Sequence, residues 1–287
     1  MAELLKGAPV ASALTEITKH EAEKLRAQGI DPTLCILRVG EKPSDISYEK
    51  GAMKKAEVAG VRVINKVLRE DVSQEAFDEV LNSINNDPEI HGILMMRPLP
   101  KQLDNEKARI MLNPEKDIDG CTDGSLAGVF TGNRFGFPPC TAEAVMKVLE
   151  FYEIDPAGKK ACILGRSLVI GKPVSMMLLS KNATPVICHT KTANTEEIAK
   201  SSDILVCSVG KLHSVGTDFT NPNQTIIDVG INYDEAKGGI SGDCDFEAVE
   251  PLVKAITPVP GGIGAVTSAV LINHVVEAAK RQNGIRL

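Results

Sequence analysis

The sequence predicts an α/β protein of two domains with a cleft between them. Short apolar segments alternate with helix-like segments along most of the 287 residues, a pattern typical of parallel sheets covered by helices. A turn-rich passage at residues 113–139 interrupts this alternation and predicts a domain boundary near residue 140. After it come a strand, a glycine-containing turn and a helix at residues 160–178, the order of elements in a dinucleotide-binding unit.

The elements of the first domain follow from hydrophobic periodicity and from turn residues. An amphipathic helix is predicted from about residue 2 to residue 28, and Gly29 ends it. Strands are predicted at 33–39, 61–67 and 92–96. Further helices are predicted from Ser44 or Asp45, as N-cap, to Gly60, from Ser73 to Asn85, and through Lys107 to Leu112.

The second domain shows the same alternation. A helix capped by Thr141 is predicted to run to about Tyr152. Strands are predicted at 161–164, 184–188, 203–209, 225–229 and 256–260, and helices from about 171 and at about 265–281. Ligands of such sheets bind at the carboxyl ends of strands. We therefore expect the loops after residues 39, 96, 165, 190, 209 and 260 to line a shared cleft.

Composition excludes several classes of protein. Apolar residues make up 43% and charged residues 24% of the chain, and the net charge of −6 does not favour nucleic acid as a partner. The seven cysteines are scattered without a C-x-x-C pair, which predicts a reducing compartment and no structural metal. No signal peptide or membrane-spanning segment is predicted. We expect a cytoplasmic protein without a membrane partner.

The turn at residues 165–171 predicts a Rossmann-like second domain. Gly165, Ser167 and Gly171 stand in place of a full G-x-G-x-x-G fingerprint, so an ordinary strand-to-helix turn is the alternative. No acidic residue follows the next strand to bind a ribose 2′-hydroxyl. Lys191 lies there instead, and Arg166 lies in the turn. Two cations suit a 2′-phosphate, so NADP is favoured, and NAD remains open if these cations are solvated.

Three groups outside this turn are candidates for the chemistry. The ring of Tyr48 suits stacking on a flat substrate, although a half-buried helix tyrosine has the same spacing. Asp119, in the Lys116–Gly120 turn, suits two N–H donors of a heterocycle, although aspartate is also a common turn former. Two prolines and three glycines at 258–264 suggest a rigid wall against a ligand.

These motifs together resemble the bifunctional methylenetetrahydrofolate dehydrogenase/cyclohydrolase family of the FolD type. The resemblance covers essentially the whole chain. The matching motifs are Val39-Gly-x-x-Pro43 before Tyr48, Gly92-Ile-Leu, Pro98-Leu-Pro100, Lys116-Asp-Ile-Asp-Gly120, Pro139-Cys-Thr141, Gly165-Arg-Ser167, Cys188-His189, Asp228-Val-Gly-Ile-Asn232 and Thr257-Pro-Val-Pro-Gly-Gly-Ile-Gly264.

The resemblance implies a role for several residues. Tyr48 would stack on the p-aminobenzoate part of a folate, Asp119 would hold the pterin, and Pro258, Gly261 and Gly262 would shape the folate site. The implied cofactor-binding residues are Gly165, Arg166, Ser167, Thr190, Lys191, Ser208, Gly210 and Ile231. Residues 1–139, completed by a helix from about 265 to 287, would form the folate-binding catalytic domain, and 140–264 the NAD(P)-binding domain. A homodimer built through the nucleotide-binding domains is implied.

Three positions depart from the family pattern. The family's catalytic lysine, four residues after the tyrosine, is Ala52 here, and the glutamine that partners it is Met96. The family serine three residues before the tyrosine is Asp45. Replacing both members of the lysine–glutamine pair with apolar residues avoids leaving one polar group buried and unpaired. The site therefore looks adapted to work without that pair.

The departures affect the two family reactions differently. Hydride transfer from the methylene carbon to the nicotinamide needs positioning but no proton transfer. Opening of the methenyl ring by water needs proton transfer, for which a positioned lysine matters. We therefore predict a dehydrogenase of one-carbon metabolism with weak or absent cyclohydrolase activity. The alternatives are a fully bifunctional enzyme that uses Lys55 or water, and a folate- and nucleotide-binding protein without turnover.

Overall fold

The structure, a computed structural model, describes residues 1–133 and 135–285. The chain forms two compact units, one of Met1–Ala11 with Thr141–Thr267 and the other of Ser12–Cys140 with Ser268–Leu287. We call the first, which contains the predicted dinucleotide-binding turn at residues 165–171, the nucleotide unit, and the second, which contains the candidate catalytic residues Tyr48 and Asp119, the catalytic unit. Each contains a parallel sheet with helices, so the predicted two-domain α/β fold is confirmed.

Strands and helices alternate along most of the described chain. The strands are β1 (Glu3–Leu4), β2 (Thr33–Val39), β3 (Arg62–Leu68), β4 (Gly92–Met95), β5 (Lys160–Leu164), β6 (Thr184–Cys188), β7 (Ile204–Cys207), β8 (Thr225–Asp228), β9 (Asn232–Asp234), β10 (Gly239–Ser241) and β11 (Ala255–Ile256). The helices are α1 (Gly7–Ala27), α2 (Pro43–Ala59), α3 (Gln74–Asn86), α4 (Asn105–Met111), α5 (Asp123–Thr131), α6 (Cys140–Phe151), α7 (Gly171–Ser180), α8 (Thr195–Lys200), α9 (Phe246–Val249) and α10 (Ile263–Gln282).

The catalytic unit is built on a three-stranded parallel sheet in the order β3-β2-β4. Every residue of the central strand β2 is buried, as its largely apolar sequence predicts, and Arg38 is buried with them. The amphipathic helix α3 packs Phe77, Leu81 and Ile84 into the same core as β2 and β4. The register pairs Val39 with Leu68, so β2 and β3 end together and their following loops leave the same edge of the sheet.

Helix α2, which carries Tyr48, is held by a buried ion pair. Glu49 on α2 accepts a hydrogen bond of 2.6 Å from Arg38 Nε on β2 and one of 2.8 Å from Asn65 Nδ2 on β3. The helix begins at Pro43 after Lys42, which makes no side-chain cap. The prediction that Ser44 or Asp45 caps it is therefore wrong: proline fits the first helical turn, where its missing N–H is not needed.

The nucleotide unit contains a six-stranded parallel sheet in the order β1-β11-β8-β7-β5-β6. Strands β5, β7 and β8 are buried almost throughout and supply much of the core. A separate antiparallel hairpin of β9 and β10 pairs the exposed residues Tyr233 and Ile240. The glycine turn after β5 leads into α7, as the sequence predicts.

Several predicted boundaries differ from the structure. The first helix starts at Gly7, because residues 3–4 form β1 and pair with the distant β11. Strand β11 ends at Ile256 rather than at residue 260, since the prolines that follow have no N–H for a ladder. Helix α5 lies inside the passage at residues 113–139 that is predicted to be turn-rich. None of the helices in residues 1–133 and 135–285 has the length and apolar character needed to cross a membrane.

Candidate active site

The turn at residues 116–120 contains a lysine and two aspartates whose hydrogen-bond partners differ. Lys116 Nζ donates to the carbonyl oxygen of Asp87 at 2.6 Å, just beyond the end of α3. The Asp117 carboxylate accepts from the backbone N–H groups of Cys121 at 3.0 Å and Thr122 at 2.7 Å. It also accepts from the Ser125 hydroxyl at 2.7 Å. These bonds fix the turn and commit the Asp117 carboxylate to it, whereas Asp119 accepts none of them.

Asp119 and Tyr48 lie together in the catalytic unit. Burial, reinforced by the negative charge of Asp117, raises the pKa of Asp119 to about 6, while Cys140, Arg97 and His274 act in the opposite direction. Burial, followed by the charges of Asp119 and Cys140, raises the pKa of Tyr48, so its hydroxyl stays protonated at neutral pH. The Tyr48 ring is still 40% exposed and can contact a ligand.

The two apolar departures from the family pattern are packed rather than open to solvent. Ala52, one helical turn after Tyr48, is 3% exposed, and Met96, just after β4, is 6% exposed. The Met96 N–H donates to the carbonyl oxygen of Leu37 at 2.9 Å. Lys55, one further turn along α2, is partly buried. The packing of Ala52 and Met96 leaves no buried amide or amine at either position.

The nucleotide unit has a cavity of about 450 Å³ at the carboxyl ends of β5, β6 and β7. Gly165 forms its floor with a φ of +123°, and a side chain there would place its Cβ 2.5 Å from Ser208 O. A Cβ on Gly171, the first residue of α7, would lie 2.2 Å from Gly165 O. Both glycines are therefore required for this close turn, whose size and position at a helix N-terminus fit a dinucleotide pyrophosphate.

The predicted cofactor-binding residues divide into three groups. Gly165, Arg166, Ser167, Thr190 and Ser208 line the 450 Å³ cavity, together with Glu196, which sequence analysis did not single out. Lys191 and Gly210 are exposed and do not line it. Ile231 lines a second cavity of about 170 Å³ in the same unit, which also contains the predicted substrate-binding residues Pro258, Gly261 and Gly262.

Sequence analysis missed Asp243, a fully buried residue of the nucleotide unit. Its carboxylate accepts from three successive backbone N–H groups, those of Val209 at 2.6 Å, Gly210 at 3.0 Å and Lys211 at 3.0 Å. It also accepts from Asn232 Nδ2 at 2.9 Å. Asp243 therefore fixes the loop after β7 and the start of β9. Its position after Gly242 looks like an ordinary turn in the sequence, so no signal separated it from other aspartates.

The nucleotide unit combines a parallel sheet with a close glycine turn at a cavity, which defines a nucleotide-binding α/β protein. Residues 5–119 match the catalytic domain of tetrahydrofolate dehydrogenase/cyclohydrolase, and residues 139–283 match its NAD(P)-binding domain. The chain belongs to the tetrahydrofolate dehydrogenase/cyclohydrolase family.

Individual relatives agree with this assignment. The chain is 47% identical over 286 residues to the bifunctional protein FolD of Carboxydothermus hydrogenoformans, covering 99% of this chain and 100% of that protein. The crystal structure of the bifunctional FolD enzyme from Campylobacter jejuni is 34% identical, with a TM-score of 0.94 over 98% of this chain and 99% of that one. The Trypanosoma brucei dehydrogenase-cyclohydrolase, complexed with NADP and an inhibitor, is 29% identical, with a TM-score of 0.89 over 98% of each chain.

Family membership, together with the cavity of the nucleotide unit, establishes the class of enzyme. The chain is an NADP-dependent methylenetetrahydrofolate dehydrogenase, so the predicted activity and cofactor are confirmed. The prediction of weak or absent cyclohydrolase activity is not supported by these relatives, which favour the bifunctional alternative.

Proposed function

We propose that the chain oxidises 5,10-methylenetetrahydrofolate with NADP and also opens the resulting methenyl ring with water. The observation that carries this proposal is the match of both family domains along the chain, with relatives named as bifunctional at up to 47% identity. In this proposal Tyr48 stacks on the p-aminobenzoate part of the folate. The Asp119 carboxylate accepts hydrogen bonds from the N–H donors of the pterin.

In the dehydrogenase step, the contribution of the protein is to position its two ligands. Bound NADP supplies a nicotinamide ring that accepts a hydride. The residues proposed to hold it are Gly165, Arg166, Ser167, Thr190, Lys191, Ser208, Gly210 and Ile231, of which five line the larger cavity. In addition to Tyr48 and Asp119, the residues proposed to bind the folate are Pro258, Gly261 and Gly262. Orienting two bound reactants supplies much of the acceleration of such a step, and no side chain has to move a proton.

The cyclohydrolase step needs a proton-transfer group other than the family lysine, because Ala52 occupies that position. Lys55 lies one helical turn after Ala52 and is only partly exposed, which supports it as the group that assists water. A second candidate function, dehydrogenase activity alone, is favoured by the joint apolar packing of Ala52 and Met96. The two candidates differ in whether methenyltetrahydrofolate accumulates.

An assay that follows NADPH and methenyltetrahydrofolate separately tests the bifunctional proposal. We expect NADPH to exceed methenyltetrahydrofolate by more than spontaneous hydrolysis accounts for. We also expect Lys55→Met to lower ring opening by about tenfold or more while hydride transfer is kept, since a positioned acid or base contributes at least that much.

Lys54→Met, the exposed neighbour on α2, is the matched control and should leave both rates unchanged. Accumulation of both products one for one in the unmodified enzyme would instead establish the dehydrogenase-only function. In that case Ala52→Lys with Met96→Gln should raise ring opening, because the substitutions restore the family pair.

The 450 Å³ cavity distinguishes two cations, Arg166 and Lys191, that sequence analysis proposed equally for binding the 2′-phosphate. Arg166 lines it, whereas Lys191 does not. We expect Arg166→Ala to raise the KM for NADP by about tenfold, since a charge-assisted hydrogen bond to a phosphate is lost. Lys191→Ala should have a smaller effect. Steady-state kinetics with NADP and NAD measure both, and an equal rise in the two KM values for Arg166→Ala would place its contact elsewhere than on the 2′-phosphate.

We also infer a homodimer built through the nucleotide units. The support is the family resemblance. Light scattering of the purified protein should give twice the 30.7 kDa mass of one chain, and a mass of one chain would contradict the inference.

A further inference from the structure

Helix α2 of the catalytic unit carries Tyr48 and Lys55, two residues of the proposed reactions, but its packed face consists mostly of small side chains. Its four buried residues are Glu49, Ala52, Ala56 and Ala59. An alanine buries only a methyl group, so three of these four do little to fix how the helix is turned about its own axis. Glu49 is the one long side chain of this buried face, so its contacts have the largest influence on the orientation of α2.

The placement of Tyr48 and of Lys55 depends on that orientation in the same way. The two residues lie seven positions apart, which is close to two full turns, so their side chains leave α2 from nearly the same side. Glu49 follows Tyr48 directly and leaves the helix about 100° further round. A rotation of α2 would therefore move the proposed stacking ring and the proposed proton-transfer lysine together.

The Glu49 carboxylate is bound by two strands of the sheet. Arg38 Nε on β2 donates to its Oε2 at 2.6 Å, and Asn65 Nδ2 on β3 donates to its Oε1 at 2.8 Å. The same Asn65 amide donates at 3.4 Å to the sulfur of Met53, one helical turn after Glu49. The two oxygens of one carboxylate are thus held by two different strands, which restricts both rotation and sliding of α2.

Arg38 also holds the connection that leads into α2. Its Nη1 donates to the carbonyl oxygen of Gly40, which lies between β2 and α2. The start of α2 has no side-chain cap that could fix this connection, since Lys42 makes none. The donors of a guanidinium form a rigid planar fork, so the bonds to Gly40 and to Glu49 together define one geometry for the connection and the helix.

The burial of this pair argues for a role beyond stability. The side chains of Arg38 and Glu49 are each only 10% exposed. Taking two charges out of water costs free energy, and apolar residues of similar volume often stabilise a protein equally well or better. Hydrogen bonds have preferred angles, whereas apolar contacts are non-directional. The pair therefore provides a fixed direction that an apolar contact would not.

We propose that Arg38 and Glu49 are positioning residues for the folate site: together they fix the rotation of α2 and thereby present the Tyr48 ring and the Lys55 side chain to the substrate. This inference rests on the proposed function, in which Tyr48 stacks on the folate and Lys55 assists ring opening. It assigns a role to two charged residues that sequence analysis did not single out.

The test replaces both charges, because removing one alone would leave the other buried without a partner and could prevent folding. In the Arg38→Met, Glu49→Leu double variant, we expect a melting temperature close to that of the unmodified enzyme. The KM for methylenetetrahydrofolate should nevertheless rise by about tenfold or more, since the groups that contact the substrate are misplaced. The KM for NADP should stay near its original value. If the pair served stability alone, the KM for the folate would be as close to normal as the melting temperature.

A milder variant and a matched control accompany the double variant. Glu49→Gln keeps the length of the side chain and one acceptor oxygen, so it gives the same comparison in a protein that retains its fold. It loses the charge and the second acceptor oxygen, and we expect the KM for the folate to rise by about three- to tenfold. The control is Lys280→Met, which breaks an ion pair between α10 and Glu21 on α1 whose side chains are 15% and 25% exposed. This control should lower the melting temperature and leave the KM for the folate unchanged.

Tyrosine fluorescence measures the orientation of α2 directly. The chain has three tyrosines and no tryptophan, so Tyr152→Phe with Tyr233→Phe leaves Tyr48 as the only tyrosine. In this background, the Arg38→Met, Glu49→Leu change should lower the fluorescence anisotropy of Tyr48 and increase its quenching by acrylamide, because the ring is held less firmly. Lys280→Met should change neither quantity.

Three results would overturn the inference: an unchanged KM for the folate in the variants of the pair, an equal rise of that KM in Lys280→Met, or an unchanged Tyr48 anisotropy after loss of the pair. Failure of the proposed function has a different signature. Tyr48→Ala would then leave the KM for the folate unchanged, while the fluorescence of Tyr48 would still respond to loss of the pair.

Discussion

Replacing Asp119 by alanine is expected to lower kcat/KM for methylenetetrahydrofolate by about 100- to 10,000-fold, because two hydrogen bonds to a charged acceptor are lost at about 1.5–3 kcal/mol each. Asp117, the other carboxylate of the turn, is committed to three donors of the protein, so Asp119 is the one proposed to bind the pterin. Most of the loss should fall on KM for the folate, and the KM for NADP should change little.

The Asp119→Asn variant tests the role of the same carboxylate without shortening the side chain. Asp119→Asn keeps one acceptor and adds a donor where the pterin also offers donors, so it should be nearly as damaging as alanine. In the unmodified enzyme the KM for the folate should rise as the pH falls through about 6, where the Asp119 carboxyl takes up a proton. Steady-state kinetics over this range check both statements. A kcat/KM of Asp119→Asn within a few-fold of the unmodified value would show that the carboxylate does not hold the substrate.

The second large effect is expected from Asp243→Ala. This change removes the acceptor of three backbone N–H groups and of the Asn232 amide, and each of these partly buried hydrogen bonds to a charged group contributes about 1.5–3 kcal/mol. The loop after β7 should therefore loosen. We expect the KM for NADP to rise by roughly 10- to 100-fold, with a smaller change in the KM for the folate.

The matched control for Asp243 is Asp234→Ala. Asp234 is also buried in the nucleotide unit and accepts from the N–H of Ala236 and from the Ser241 hydroxyl, neither of which lines a cavity, whereas Asp243 bonds Val209, which lines the larger one. The Asp234→Ala variant should have a lower melting temperature, while its KM for NADP should stay near the original value. If both variants raise that KM equally, the effect of Asp243 is a general loss of stability rather than control of the loop.

The sequence predicted the fold well where local pattern decides it. The apolar strands and the glycine turn were visible because burial on both faces and a close backbone approach each leave a clear residue pattern. Elements held by distant partners were missed. The two residues of β1 show no pattern, since their structure depends on pairing with Ala255 and Ile256.

The candidate site, like the fold, was predicted where local motifs determine it and missed where distant contacts do. Motif spacing identified Tyr48 and Asp119, but it did not reveal the different, structural role of Asp117 two residues earlier. That distinction lies in hydrogen bonds that only the folded turn defines. The contact of Cys140 with His274 joins residues 134 positions apart, and no local rule connects them.

The pairing of β1 with β11 has a consequence for synthesis. Strand β1 lies beside a strand that is made after all the other strands of this sheet, so this edge of the nucleotide sheet closes only once Ala255 and Ile256 have been synthesised. Until then β11 has not been made, and the short segment at residues 3–4 stays unpaired. A truncated chain that stops before Ala255 would lack the partner that holds its own beginning.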